Sequence, residues 1–115
     1  MNCRKLCEIL AADCMSCRDD MGDMSIENFC CTELMSDVLA YTEDGERTAL
    51  MTALSNSQTL RTAEMVDIRV VVIIRGKKVE EELVRLAEES DIILLRTPLN
   101  MYDAIIRIDK YLDRE

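Results

Sequence analysis

Apolar positions along this chain alternate between two rhythms. Val70 to Ile74 is an unbroken run of five β-branched residues. A strand that is apolar on both faces must be covered on both, as a central strand of a parallel sheet is. The run stops at Arg75-Gly76-Lys77-Lys78, and helical spacing follows at Val79, Leu83, Leu86 and Ala87, to about Glu89. Strand, glycine turn and helix make the basic step of an α/β fold. Similar steps flank it. Asn2 can cap a first helix with Cys3, Leu6, Cys7 and Leu10 on one face, ending near Asp13. Asp19 to Asp23 reads as a polar turn, Ile26 to Cys31 as a short strand, and Glu33 to Tyr41 as a helix. Thr48 to Leu54 reads as another strand, with Ser55-Asn56 capping a helix to about Val66.

Past the central step, Ile92 to Leu95 is a further strand. Thr97-Pro98 has the form of a helix start, a capping hydroxyl followed by proline at the first helical position. The helix from Pro98 to Leu112 carries two mainly apolar stripes, one through Tyr102, Ile105, Ile106 and Asp109, the other through Met101, Ile105, Ile108 and Leu112. One can pack on the sheet and the other on a partner, for which a second copy of the chain is the simplest choice. The expectation is a single α/β domain over residues 1–115. Its sheet has about four mainly parallel strands flanked by helices, and residues 1–25 form an N-terminal helix and loop.

Charge narrows the partners. Fourteen basic and twenty-three acidic residues give a net charge of −9, which disfavours nucleic acid and anionic membrane. The balance is uneven: residues 1–64 hold 5 basic and 12 acidic residues, residues 65–115 hold 9 and 11. The aromatics Phe29, Tyr41, Tyr102 and Tyr111 are too few for a base-stacking platform. No apolar stretch approaches the roughly 20 residues of a membrane span. The N-terminus leads into an amphipathic pattern rather than a signal peptide, so the chain reads as cytoplasmic, its six cysteines as reduced thiols.

Ligands of an open parallel sheet bind beyond the carboxyl ends of its strands. That edge gathers Ser55, Asn56 and Gln58 after one strand, Arg75, Gly76, Lys77 and Lys78 after the next, and Thr97 and Asn100 after the last. Helix-start amides beside three cations suit a phosphate, and Gly76 lets a ligand approach the backbone. The competing reading is of solvated turn lysines partly neutralised by Glu80, Glu81 and Glu82. With three glycines, Gly22, Gly45 and Gly76, neither a Walker loop nor a dinucleotide fingerprint can be written. No histidine is present, which removes Ser–His and Cys–His pairs; catalytic residues are none on this inventory. Cys14-Met-Ser-Cys17 and the pair Cys30-Cys31 admit a metal or redox role if they meet. Alternatively they are small core residues, as Cys3 and Cys7 are on their helix face.

These pieces resemble the DRTGG-domain family, related to the N-terminal domain of HPr kinase/phosphorylase. The similarity runs through Leu34-Met-Ser-Asp-Val-Leu-Ala40, Leu54-Ser-Asn-Ser-Gln58, Arg61-Thr-Ala-Glu-Met65 and Asp67-Ile68. It continues through Val70 to Lys78 and Ile92 to Thr97, covering roughly residues 26 to 108. Arg75-Gly76-Lys77 stands where the family has Thr-Gly-Gly, and Ser55-Asn56-Ser57 where it has Gly-Asp-Arg. The resemblance implies a dimerising regulatory α/β domain without a catalytic centre or cofactor. Small stand-alone members accompany hydrogenase-type redox components in anaerobes. Three readings therefore stand: a sensor of a nucleotide or other phosphorylated ligand, a dimeric accessory module for a redox-enzyme subunit, and a thiol-based metal or redox protein.

Overall fold

The computed structural model describes residues 1–112; the last three positions of the expected domain lie outside the described residues. Five helices and five strands follow in the order α1 (Cys3–Ile9), β1 (Asp13–Ser16), β2 (Asn28–Cys31), α2 (Met35–Tyr41), β3 (Thr48–Thr52), α3 (Ser57–Met65), β4 (Val70–Ile73), α4 (Glu81–Glu89), β5 (Ile93–Arg96) and α5 (Met101–Leu112). Short 3₁₀ turns at Asp19–Gly22 and Gly45–Arg47 precede β2 and β3. The sheet order is β1-β5-β4-β3-β2, with β2 to β5 parallel and β1 antiparallel on β5.

Topology follows from the side-chain rhythm. Every residue of β3 and β4 is buried, so both faces of the sheet need cover. Because β2 to β5 are laid down in one direction, right-handed crossovers put α2, α3 and α4 on a single face. Leu50, Val71, Ile73 and Leu94 point there, against Val38, Leu60, Ala63, Leu83 and Ala87. The alternate residues Ala49, Met51, Val70, Val72, Ile93 and Leu95 face α1 and α5, through Cys3, Leu6, Leu10, Ala104 and Ile108. Two helical layers thus enclose one sheet. No helix among the described residues is long and apolar enough to cross a membrane.

Two expectations are corrected. The sheet has five strands rather than about four, since residues 1–25 contain β1 as well as a helix. The polar turn expected after it is present as a 3₁₀ turn. Thr97 is not the cap of the last helix: Asn100 accepts from Asp103 N at 2.8 Å, and α5 begins at Met101. Pro98 lies in the turn before it.

Helices α1, α3 and α4 share a way of ending. Each passes through one residue with positive φ: Ala11 at 50°, Asp67 at 63° and Asp91 at 56°. In each, paired amides reach back to the last turn, as Asp67 N to Glu64 O at 3.2 Å and Ile68 N to Ala63 O at 2.9 Å. This is the Schellman arrangement, made here without glycine. Ile68 and Ile92, one residue on, are buried and lead into β4 and β5.

Candidate functional site

The helices after β4 and β5 lie on opposite faces of the sheet. Neighbouring strands whose connections diverge in this way mark the topological switch point of an open α/β sheet, where ligands bind. The turn after β4 holds Arg75, Gly76, Lys77 and Lys78; the turn after β5 holds Thr97 to Asn100. The backbone stitches the two turns together, Arg75 N donating to Leu99 O at 2.7 Å and Gly76 N to Thr97 O at 2.9 Å. Arg75 and Gly76 take φ of 64° and 60° to make this turn. Glycine adopts that conformation freely, whereas for arginine it costs about 1 kcal/mol or more.

The expected site residues divide by what they touch. Arg75, Lys77 and Lys78 are exposed at the strand ends. Lys78 Nζ lies 3.5 Å from Glu80 Oε1; among the described residues no ion pair is seen for Arg75 or Lys77. Ser55 Oγ donates to Lys78 O at 2.7 Å and so ties the turn after β3 to that after β4. Asn56 accepts from Thr59 N at 3.0 Å and caps α3. Gln58 is exposed in the first turn of α3. Thr97 is fully buried, its hydroxyl donating to Leu10 O at 2.6 Å and accepting from Leu99 N at 3.2 Å. It therefore holds the turn from beneath and has no surface for a ligand. The amides of Arg75 and Gly76 are likewise occupied, so any anion here meets side chains rather than the backbone cradle expected at Gly76.

The start of α4 also departs from expectation. The helix begins at Glu81, and Glu80, Glu81 and Glu82 surround its first turn with carboxylates. Of the three helix starts, this one repels an anion most; α5 has Asp103 in its first turn and α3 has no acidic residue there. A further charged residue was not singled out by sequence: Glu33, just past β2, accepts from Thr52 Oγ1 at 2.9 Å and from Ala53 N at 2.9 Å. Its carboxylate sits at the end of β3 and confines the cationic part of the edge to β4 and β5. Its position directly after a strand was the available signal. A concavity of about 200 Å³ lies away from this edge, at the opposite ends of β4 and β5, and is lined by Glu64, Asp67, Arg69 and Asp91, an acid-rich setting unsuited to phosphate.

The cysteines do not converge. Cys14 belongs to β1, with Cys17 just beyond it, and Cys30 and Cys31 to β2, the two opposite edges of the sheet. Four inter-strand steps separate them by roughly 19 Å. Among the described residues no group of three or more His, Cys, Asp or Glu could hold a metal ion. The expectation of six reduced thiols is also corrected, because Cys14 and Cys17 form a disulfide. The other four are free. Burial, with Cys7 and Asp20 nearby, pushes the Cys3 thiol up to about 12. Burial and then Cys30 push Cys31 up to about 11. Burial likewise raises Cys7 and Cys30. These thiols stay protonated near neutral pH and are poor metal ligands or nucleophiles.

Comparison with known proteins identifies a family and a similar solved structure. The family model described as the HPr Serine kinase N terminus matches residues 35–112. The chain is also similar to the crystal structure of the CBS and DRTGG domains of the regulatory region of Clostridium perfringens pyrophosphatase, complexed with the activator diadenosine tetraphosphate. That superposition has a TM-score of 0.76 at 10% sequence identity, covering 93% of this chain and 45% of the other. The chain thus spans less than half the length of that structure. No curated protein matches the sequence.

Proposed function

The chain belongs to the family of the HPr serine kinase N terminus, and from that membership we propose that it is a non-catalytic regulatory domain that senses a nucleotide or another phosphorylated ligand. The observation that carries the reading is the set of cations Arg75, Lys77 and Lys78 at the switch point between β4 and β5, on a chain of net charge −9. Ser55 and Asn56 frame the site, Gln58 offers an amide at its rim, and Gly76 shapes the turn. Thr97 supports it from the core. The kinase in the family's name brings no kinase chemistry with it, because no phosphate loop can be written with these three glycines. The regulatory region of the similar pyrophosphatase is complexed with the activator diadenosine tetraphosphate, which makes dinucleoside polyphosphates the first class to test.

The test is thermal shift against adenine and guanine mono-, di- and triphosphates and dinucleoside polyphosphates. A ligand at a hundred times its dissociation constant should stabilise the fold by about 2.7 kcal/mol, several degrees for this size. Lys77→Ala should remove the shift while leaving the unliganded melt in place. Arg75→Gly should remove it too, yet leave the free protein at least as stable, since relief of the positive φ offsets the glycine's greater unfolded-state freedom. No shift across the panel would overturn the nucleotide reading.

Homodimerisation through α5 is the second part of the proposal. Ala104 and Ile108 of α5 pack inward, while Tyr102, Ile105 and Leu112 remain exposed at 72%, 43% and 41%. Beside them a mainly apolar groove of about 230 Å³ is lined by Phe29, Cys31, Ile105, Ile108, Asp109 and Leu112. Sedimentation should find a dimer that Ile105→Asp converts to a folded monomer. A wild-type monomer throughout the micromolar range would rule out this contact.

A further inference from the structure

The N-terminal edge of the sheet carries a different chemistry. The pairing of β1 with β5 shifts register between Cys14 and Ser16. In a straight strand, residues three apart are separated by about 10 Å. Here the chain bends, and the Cα atoms of Cys14 and Cys17 stand 5.8 Å apart, inside the range a disulfide requires. Contacts independent of the sulfurs hold the bend: Ser16 Oγ donates to Ile92 O at 3.2 Å, and Arg18 Nη1 donates to Asp91 O at 3.1 Å. Cys17 is exposed, whereas Cys14 is half-buried against the layer of α1 and α5. Next to Cys17 opens a groove of about 520 Å³, lined also by Arg4, Glu8, Arg18, Asp19 and Met21.

A bridge across two intervening residues constrains the unfolded chain far less than a long loop would. The bond is poorly placed as a staple and well placed for another thiol to reach. We propose that Cys14–Cys17 is a reversible dithiol–disulfide site, opened by a dithiol donor that enters through the groove. A donor thiolate attacks Sγ of Cys17, the more exposed residue of the pair, and the S–S bond breaks with Cys14 leaving as a thiolate that takes a proton. The donor's second thiolate then attacks its own sulfur in the mixed disulfide and releases Cys17, which is protonated in turn. Two electrons and two protons pass to the protein, and the donor departs as its disulfide. Cys7 lines the same groove but takes no part. Its thiol donates to Ala12 O at 3.3 Å, and burial with Asp13 and Glu8 keeps it protonated.

The experiment equilibrates the full native chain in glutathione and dithiothreitol redox buffers, traps thiols with a maleimide, and reads intact mass and labelled peptides. The expected result is one two-electron transition from the four free cysteines of the oxidised form to all six. The two gained labels should fall on Cys14 and Cys17. Cys17→Ser should show no transition, with its five remaining cysteines labelled throughout. A parallel arm with thioredoxin at catalytic concentration separates a protein donor from a small dithiol, and opening by either supports the site. Six labelled cysteines in every buffer would overturn the proposal. So would a bond that stays closed in the native protein under excess dithiothreitol, or a transition at other cysteines.

Discussion

Gly45→Ala is expected to destabilise the fold by about 3 kcal/mol or more, one of the largest effects of any single methyl added to this chain. Gly45 opens the 3₁₀ turn that leads into β3 and is buried. A Cβ there would lie 1.7 Å from Val66 O and 2.8 Å from the carbonyl carbons of Val66 and Asp67. All three atoms are backbone. They belong to the turn between α3 and β4, held by the bonds of Asp67 N to Glu64 O and Ile68 N to Ala63 O. No flexible side chain can yield, so either that turn or the start of β3 must move. Overpacking in a core costs about 1–3 kcal/mol, and a collision with backbone belongs at or above the upper end. For a domain of this size the melting temperature should fall by roughly 10–15 °C. Gly22→Ala is the matched control, because its Cβ would meet nothing nearer than Arg4 Nε at 3.5 Å. That variant should melt within about 0.5 kcal/mol of wild type. Equal melts for the two alanine variants would refute the steric argument.

Gly45 also illustrates how unevenly this fold could be read from its sequence. In Val70 to Ile74 composition alone signals burial on both faces, and the structure covers both faces of the strand within it. The cationic turn after it was legible by the same route, since a strand ending at Arg75-Gly76-Lys77-Lys78 fixes where those side chains emerge. Strand β1 had no such signal. Asp13-Cys-Met-Ser16 holds no β-branched residue, and it becomes a strand because the open edge of β5 offers Leu94, Leu95 and Arg96 as partners. The ends of α3 and α4, read at about Val66 and Glu89, fall within a residue of the observed Met65 and Glu89, whereas α1 stops at Ile9, short of Asp13, because Ala11 occupies a position where glycine would have announced a cap.

The separation of the cysteines was equally beyond a linear reading. Cys14 and Cys17 lie closer in sequence to Cys30 and Cys31 than β1 does to β5, yet strand order sends the two pairs to opposite edges. Local chemistry transfers from sequence to structure when its consequence is local. Strand order and edge pairing depend on contacts far along the chain, and these are what the periodicities leave open.

Thr97 carries that point into the candidate site, where Thr97→Val is expected to cost about 3 kcal/mol. Valine fills nearly the same volume, so packing is conserved and the loss isolates the hydroxyl. Two partners are then left unpaired: Leu10 O in the interior, which receives the hydroxyl at 2.6 Å, and the half-buried Leu99 N, which donates to it at 3.2 Å. Each buried polar group left unpaired costs about 1–3 kcal/mol. Thr97→Ser retains the hydroxyl and loses one methyl, worth about 1 kcal/mol. Urea unfolding should therefore rank wild type, then serine, then valine. The damage should also reach the cationic turn, because Leu99 O is the acceptor for Arg75 N and Thr97 O for Gly76 N. Amide exchange at Arg75 and Gly76 should accelerate in Thr97→Val beyond the change seen at Val71 and Val72 in the strand beneath. If valine proves as stable as serine, the bond from β5 to the end of α1 contributes nothing net. If exchange rises uniformly, the turn does not depend on it. The expected combination would make the N-terminal helix the clamp beneath the proposed anion site, through one threonine whose place beside a proline had suggested a helix cap.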